Sequence, residues 1–285
     1  MVVGGALERS TDPQQHGFVE GRNLVMESRT SDGMAEPLPA LAREILAARP
    51  DVVVAVSSPA AHALRAIDAT VPIVMGFAGG DPVAYGLAAS LARPGGRVTG
   101  VVMLAEELNA KRFEFAREVL PNARRIGFLV GSTFTDTRIA AIEAVARGLG
   151  FDLIVVRSSG ADGYGAAFAA LSAANVEALV VGSFPGFSSD PEPLARMALA
   201  ARLPTFCEWR HMAEAGCLIG YGAVMAELQR RVAFYVVQIF RGEAPGELAM
   251  ERATRFELVV NQITARTLGL TIPPALLARA DEVIE

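Results

Sequence analysis

The sequence predicts an α/β protein of two lobes, each a parallel sheet covered by helices on both faces, and three observations predict it. Short apolar runs rich in β-branched residues do not alternate apolar with polar, so they read as strands buried on both sides. Segments of about 10 to 15 residues with apolar positions at helical spacing separate them, the pattern of right-handed strand–helix–strand crossovers. The alternation runs to about residue 103 and starts again at Arg125, which gives two sheets rather than one.

Taken in order, Asn23 to Arg29 reads as a first strand flanked by loops, and Leu38, Leu41, Ile45 and Leu46 repeat at helical spacing up to Pro50. Val52 to Val56 is a buried strand that runs into Ser57, Ser58 and Pro59. Proline suits the first helical position because it has no amide hydrogen to leave unpaired there, and Ser58 before it is a good N-cap. His62, Leu64 and Ile67 continue that helix, and Val71 to Phe77 is the next strand. Asp81 and Pro82 repeat the arrangement, predicting a second capped helix with Val83, Leu87 and Leu91 on its apolar face. Strand Val98 to Met103 and a charged helix carrying Leu108, Phe115 and Val119 follow.

The second half offers strand Ile126 to Val130, loop GSTFTD, a helix with Ile139, Ile142, Val145 and Leu149, and strand Leu153 to Val156. Tyr164, Phe168 and Leu171 mark a helix, Ala178 to Val181 a strand, and GSFPGFSSDP the loop at its end. A helix with Leu194 and Met197, short strands Thr205 to Cys207 and Cys217 to Tyr221, and one long helix from Val224 to Arg241 come next. A strand Phe256 to Asn261 and a helix beginning around Pro274 close the chain. This divides it into a first lobe of 1–103 plus 224–253 and a second of 104–223 plus 254–285.

Composition narrows the functions. In 285 residues, 52% hydrophobic, there is enough apolar material for a sizeable core. Net charge is −5 with no basic block, so the electrostatic footprint of a nucleic-acid partner is missing. Apolar runs fall short of the roughly 18 residues that suggest a membrane span, and MVVGGALERSTD does not resemble a signal peptide. Two cysteines, Cys207 and Cys217, are compatible with a disulfide without indicating a compartment.

In open parallel sheets the ligand site lies beyond the carboxyl ends of the strands, so the loops to inspect end at Ser58, Asp81, Thr133, Phe184 and Tyr221. Ser57 and Ser58 serve either as a plain cap or, with free amides at the positive end of a helix dipole, as a seat for a carboxylate. Asp81 reads as a cap or as a partner for an ammonium group. Phe184 and Phe187 read as loop packing or as aromatic contacts, and Tyr221, between Gly220 and Gly222, offers a ring and a hydroxyl on a backbone free to bend. No nucleophile elbow, Walker loop, dinucleotide fingerprint or HExxH motif is present, and Cys207, His211 and Cys217 lack a fourth zinc ligand. Catalytic, cofactor and metal roles are therefore not expected.

GFVEGRN, LPALAREILAARPDVVVAVSSPAA, DPVAYGLAASLARPGGRVTG, the GYG at 220–222 and RFELVVNQITARTLGLTIPPALLARADEVIE together resemble the ABC-transporter substrate-binding proteins of the tryptophan and tyrosine type. The resemblance runs from Gly17 to Glu285 and implies the type I periplasmic-binding fold, with a small ligand such as an aromatic amino acid held in a cleft between the lobes. It implies ligand contacts at Ser57, Ser58, Pro59, Asp81, Ser132, Thr133, Phe184 and Tyr221, a permease and its ATPase as partners, and a periplasmic or lipid-anchored location outside the cytoplasm. A cytoplasmic sensor of the same fold and an α/β enzyme acting on a small metabolite are the rival readings. Only 16 residues precede Gly17, where the family carries an export signal, a strand and a helix. MVVGGAL is expected to stand in for that strand, and ERSTDPQQH is too short and polar to stand in for the helix.

Overall fold

Val53–Ala55 is buried on both faces, as its unbroken apolar pattern requires, and the sheet of the N-terminal unit is built around it. The computed structural model describes residues 2–3, 17–31, 34–103 and 105–285. The chain divides into two compact units, Met1–Leu104 with Ala223–Arg255 and Ala105–Gly222 with Phe256–Glu285, passing between them three times. The expectation for ERSTDPQQH lies outside the described residues.

In chain order the first unit contributes β1 (Val2–Val3), β2 (Ser28–Arg29), α1 (Leu38–Ala47), β3 (Val53–Ala55), α2 (Ser58–Ile67), β4 (Ile73–Ala78) and β5 (Val98–Val102). The second supplies α3 (Ala105–Val119), β6 (Arg125–Val130), α4 (Asp136–Gly148), β7 (Asp152–Arg157), α5 (Tyr164–Ala173), β8 (Ala178–Val181), α6 (Pro185–Ser188), α7 (Pro191–Ala200), β9 (Thr205–Cys207), α8 (Arg210–Glu214) and β10 (Ile219–Ala223). The chain then returns for α9 (Met225–Phe240) and β11 (Glu251–Arg252), and finishes in the second unit with β12 (Phe256–Asn261), α10 (Gln262–Leu268), α11 (Pro274–Leu277) and β13 (Glu282–Ile284).

The first sheet has the order β11-β5-β4-β3-β1-β2, and the second β13-β12-β10-β9-β8-β6-β7. In the first, β1 pairs in parallel with both β2 and β3; in the second, β6 pairs in parallel with both β7 and β8. Val2–Val3 therefore occupies the place of the strand expected of MVVGGAL. Each sheet carries its own apolar core. Ile45, Leu64, Ile73 and Met75 lie in the first, and Phe113, Phe128, Ile126 and Phe206 in the second.

Three expectations are corrected. The strand at Asn23 to Arg29 shrinks to Ser28–Arg29, because residues 19–24 curl into a turn. The amides of Arg22, Asn23 and Leu24 all donate to the Val19 carbonyl, and the Asn23 side chain accepts from the Val19 amide at 2.7 Å and donates to the Gly17 carbonyl at 2.9 Å. Ser57, not Ser58, caps α2, so Ser58 opens the helix and Pro59 sits one place further in. No helix follows Asp81: residues 82–86 are turns, with Gly86 at φ +66° and the Leu87 and Ala88 amides both donating to the Pro82 carbonyl. Gly86 reverses the chain one turn after Pro82, before a helical ladder is established.

Candidate functional site

The strand orders mark a candidate place for a ligand within each unit. From β1 the chain goes to β2 on one side and comes back to β3 on the other; from β6 it goes to β7 and comes back to β8. At such a reversal the loops leaving two neighbouring strands diverge to opposite faces of the sheet and open a crevice at the carboxyl ends. In the first unit the loop after β3, Val56 to Pro59, lies at the reversal; in the second, the loops after β6 and β8 do.

After β3 the backbone of Ser57 is extended, at φ −153° and ψ 157°, and its hydroxyl accepts the Ala60 amide at 3.3 Å, satisfying one of the orphan donors of the first turn. Ser58 is only 6% exposed, and its hydroxyl has no hydrogen-bond partner among the described residues. A buried polar group without a partner costs free energy, and this hydroxyl stands at the positive end of a ten-residue helix. Asp81 stands at the end of β4, exposed, with its carboxylate accepting the Val83 amide at 2.9 Å in a local turn. The turn it caps is tied to α2: the Arg65 guanidinium donates to the Gly86 carbonyl, and the His62 and Tyr85 rings meet edge to face at 6.1 Å.

In the second unit Ser132 and Thr133 line a groove of about 550 Å³ with Thr135, Asp136, Arg157 and Ser159, at the ends of β6 and β7. Phe184 does not face that groove. It is 5% exposed, meets Phe187 at 4.9 Å, and lies so close to Gly131 that a Cβ there would come within 2.2 Å of its ring. Gly131 is thus required by Phe184, which fills the crevice between the β6 and β8 loops. The ring of Tyr221 is likewise engaged, edge-on to Phe115 at 5.0 Å and stacked with Phe256 at 6.3 Å. The glycines beside it serve a different purpose from the expected bending. Neither has positive φ, but a Cβ on Gly222 would lie 2.1 Å from the Glu208 carbonyl, and one on Gly220 would lie 2.7 Å from that of Trp209.

Beneath these loops lies a buried polar cluster that the sequence reading missed. Arg112 of α3 is fully buried, and its Nη1 donates to the Val181 carbonyl at 2.9 Å and to Asn109 Oδ1 at 2.8 Å. Its Nε donates to the Tyr221 carbonyl at 3.2 Å, and its Nη2 lies 3.5 Å from both Ser183 Oγ and Glu208 Oε1. Ser183 in turn donates to Glu208 Oε1 at 2.7 Å. One guanidinium therefore joins the carboxyl ends of β8 and β9 to the middle of β10. Burial pushes the Arg112 pKa below its ordinary value, opposed chiefly by the Glu208 carboxylate and then by Tyr221. A readable signal existed: Arg112 falls between Leu108 and Phe115 on the apolar stripe of its helix, where a charge must be buried and paired.

Cys207 and Cys217 are joined by a disulfide that ties the end of β9 to the segment before β10. Both thiols are thereby consumed, which removes them as metal ligands. No group of three potential metal-binding side chains occurs among the described residues, and none of the described helices is long and apolar enough to cross a membrane.

The family model for ABC transporter substrate binding proteins matches residues 12–284, nearly the whole chain. The chain belongs to this family. A tyrosine-binding protein of Clostridioides difficile (strain R20291) is 20% identical over 260 residues, covering 90% of this chain and 74% of the relative. Among solved structures, a conserved domain protein from Vibrio cholerae is 28% identical with a TM-score of 0.85, covering 95% of this chain and 90% of that one. An ABC domain from Streptococcus pneumonia, solved in complex with L-Trp, has a TM-score of 0.86 at 22% identity, over 99% and 98% of the two chains. These likenesses establish the type I periplasmic-binding fold for this substrate-binding protein.

Proposed function

We propose that this member of the family is the solute-binding component of an ABC-type importer, and that its ligand is an amino acid or a related small carboxylate. The family match over residues 12–284 carries the role, and the tyrosine-binding and L-Trp-bound relatives support the ligand class. The buried Ser58 hydroxyl at the start of α2, without a partner among the described residues, supports a hydrogen-bond-accepting group of the ligand being held there, with Ser57 and Pro59 shaping the turn around it. Asp81, Ser132 and Thr133 are the further polar contacts in this reading. Phe184 and Tyr221 act through the packing of the second-unit loops. A permease and its ATPase are the partners, and no reaction is ascribed to the site.

The Cys207–Cys217 disulfide supports a location outside the cytoplasm, since structural disulfides persist in oxidising compartments. It weighs against the cytoplasmic sensor. Isothermal titration of the folded chain against the common L-amino acids and small carboxylates tests the proposal. Saturable one-site binding by at least one of them is expected, and a folded sample that binds none overturns it.

A further inference from the structure

We infer that the groove at the ends of β6 and β7 is an oxyanion site in which Arg157 receives a carboxylate of the ligand. The inference rests on the proposed amino-acid or carboxylate reading and assigns one recognition group within it. The groove has about 550 Å³ of space, enough for a small metabolite, and Ser132, Thr133, Thr135 and Ser159 supply four hydroxyls along its wall beside Arg157, the one cation among the described residues that line it. That combination of one cation and several hydroxyl donors suits an oxyanion and leaves an ammonium without a dedicated partner other than Asp136.

Arg157 is held in place from the protein side. One Nη donates to the Phe134 carbonyl at 2.6 Å, fixing the plane of the guanidinium against the loop after β6. The other Nη donates to Asp136 Oδ1 at 2.7 Å. The Asp136 side chain is 94% exposed, so this ion pair is worth little in solvent and can be exchanged cheaply for another carboxylate. Asp136 thus marks the direction in which the guanidinium presents itself to a carboxylate. Ser158, in contrast, is turned inward: its hydroxyl donates to the Gly160 carbonyl at 3.0 Å and accepts the Gly160 amide at 3.3 Å. That closed turn sets the path of the chain just after Arg157 and leaves the Ser159 side chain exposed.

The test compares each amino acid that binds with its carboxamide, by isothermal titration of the wild type, Arg157→Gln and Asp136→Asn, with circular dichroism to confirm folding. In the wild type, replacing the carboxylate by the amide is expected to weaken binding about 10- to 100-fold, the worth of a charge-assisted hydrogen bond. Arg157→Gln is expected to weaken the amino acid by a similar factor and to abolish most of that discrimination. Asp136→Asn, which frees the guanidinium, is expected to tighten the amino acid. If Arg157→Gln keeps the wild-type discrimination, or weakens acid and amide equally as a mere brace would, the inference is overturned while the binding function stands. If the wild type binds no amino acid, the amino-acid half of the proposed function fails, and sodium succinate replaces the ligand: saturable binding lost in Arg157→Gln upholds the groove, and its absence overturns it.

Discussion

Arg112 shows how much of a site can depend on one side chain that touches nothing outside the protein. Its guanidinium satisfies backbone carbonyls at the end of β8 and in the middle of β10, and balances the Glu208 carboxylate at the end of β9. Removing one partner of a buried ion pair leaves the other uncompensated, so Arg112→Met is expected to cost about 3–5 kcal/mol, measured by urea denaturation. Adding Glu208→Gln to Arg112→Met removes the stranded charge and should recover part of the loss; a double variant as unstable as the sum of the singles contradicts this account. His62 makes a second prediction at this scale. Burial first, and then the Arg65 charge, lower its pKa below the ordinary 6.5. The unfolded chain therefore binds the proton more readily, and stability is lost as pH falls through 6.5 toward the folded value. Thermal unfolding from pH 7.5 to 5.5 should show the wild type losing ground to His62→Gln as pH falls. A constant gap between the two contradicts it.

At the level of elements, the helix that failed to form after Asp81 is as informative as the one that formed after Ser57. Both follow a strand with a polar residue and a proline, but α2 continues with Ala60, Ala61 and Leu64 buried against the sheet, whereas Gly86 turns the other segment after one circuit. A cap starts a helix only where an apolar face can continue it. The β9–β10 connection is held differently. The Cys207–Cys217 bridge, ten residues apart, closes a segment that contains Glu208, Trp209 and the short α8. Replacing both cysteines by alanine is expected to cost about 2–3 kcal/mol through the unfolded state alone. Urea denaturation of the double variant measures it, and the wild type under reducing conditions should show the same loss. Periodicity made most helices and central strands legible. It missed β11 and β13, at two and three residues, α6 and α8, at four and five, and α10, at seven, because elements this short take their shape from the neighbours they pack against.

For the whole molecule, a ligand that binds only the folded protein must stabilise it. Scanning fluorimetry should show the unfolding temperature rising with concentration for any amino acid that binds, by the equivalent of about 2.7 kcal/mol at one hundred times Kd. An amino acid with saturable heat and no thermal shift contradicts a site formed by the native fold.

By itself the sequence determined that this is an α/β protein of two sheets, where most of their strands end, and that Ser57 and Ser58 stand at such an end. These follow from local patterns, namely apolar runs, helical spacing and capping chemistry. Only the tertiary structure decided which strand ends lie at a reversal of strand order, that Arg112 joins β8, β9 and β10, and that Ser132 and Thr133 share a groove with Arg157. Those facts depend on residues far apart in the chain meeting across a sheet, and on polar groups finding partners that no neighbouring residue could supply.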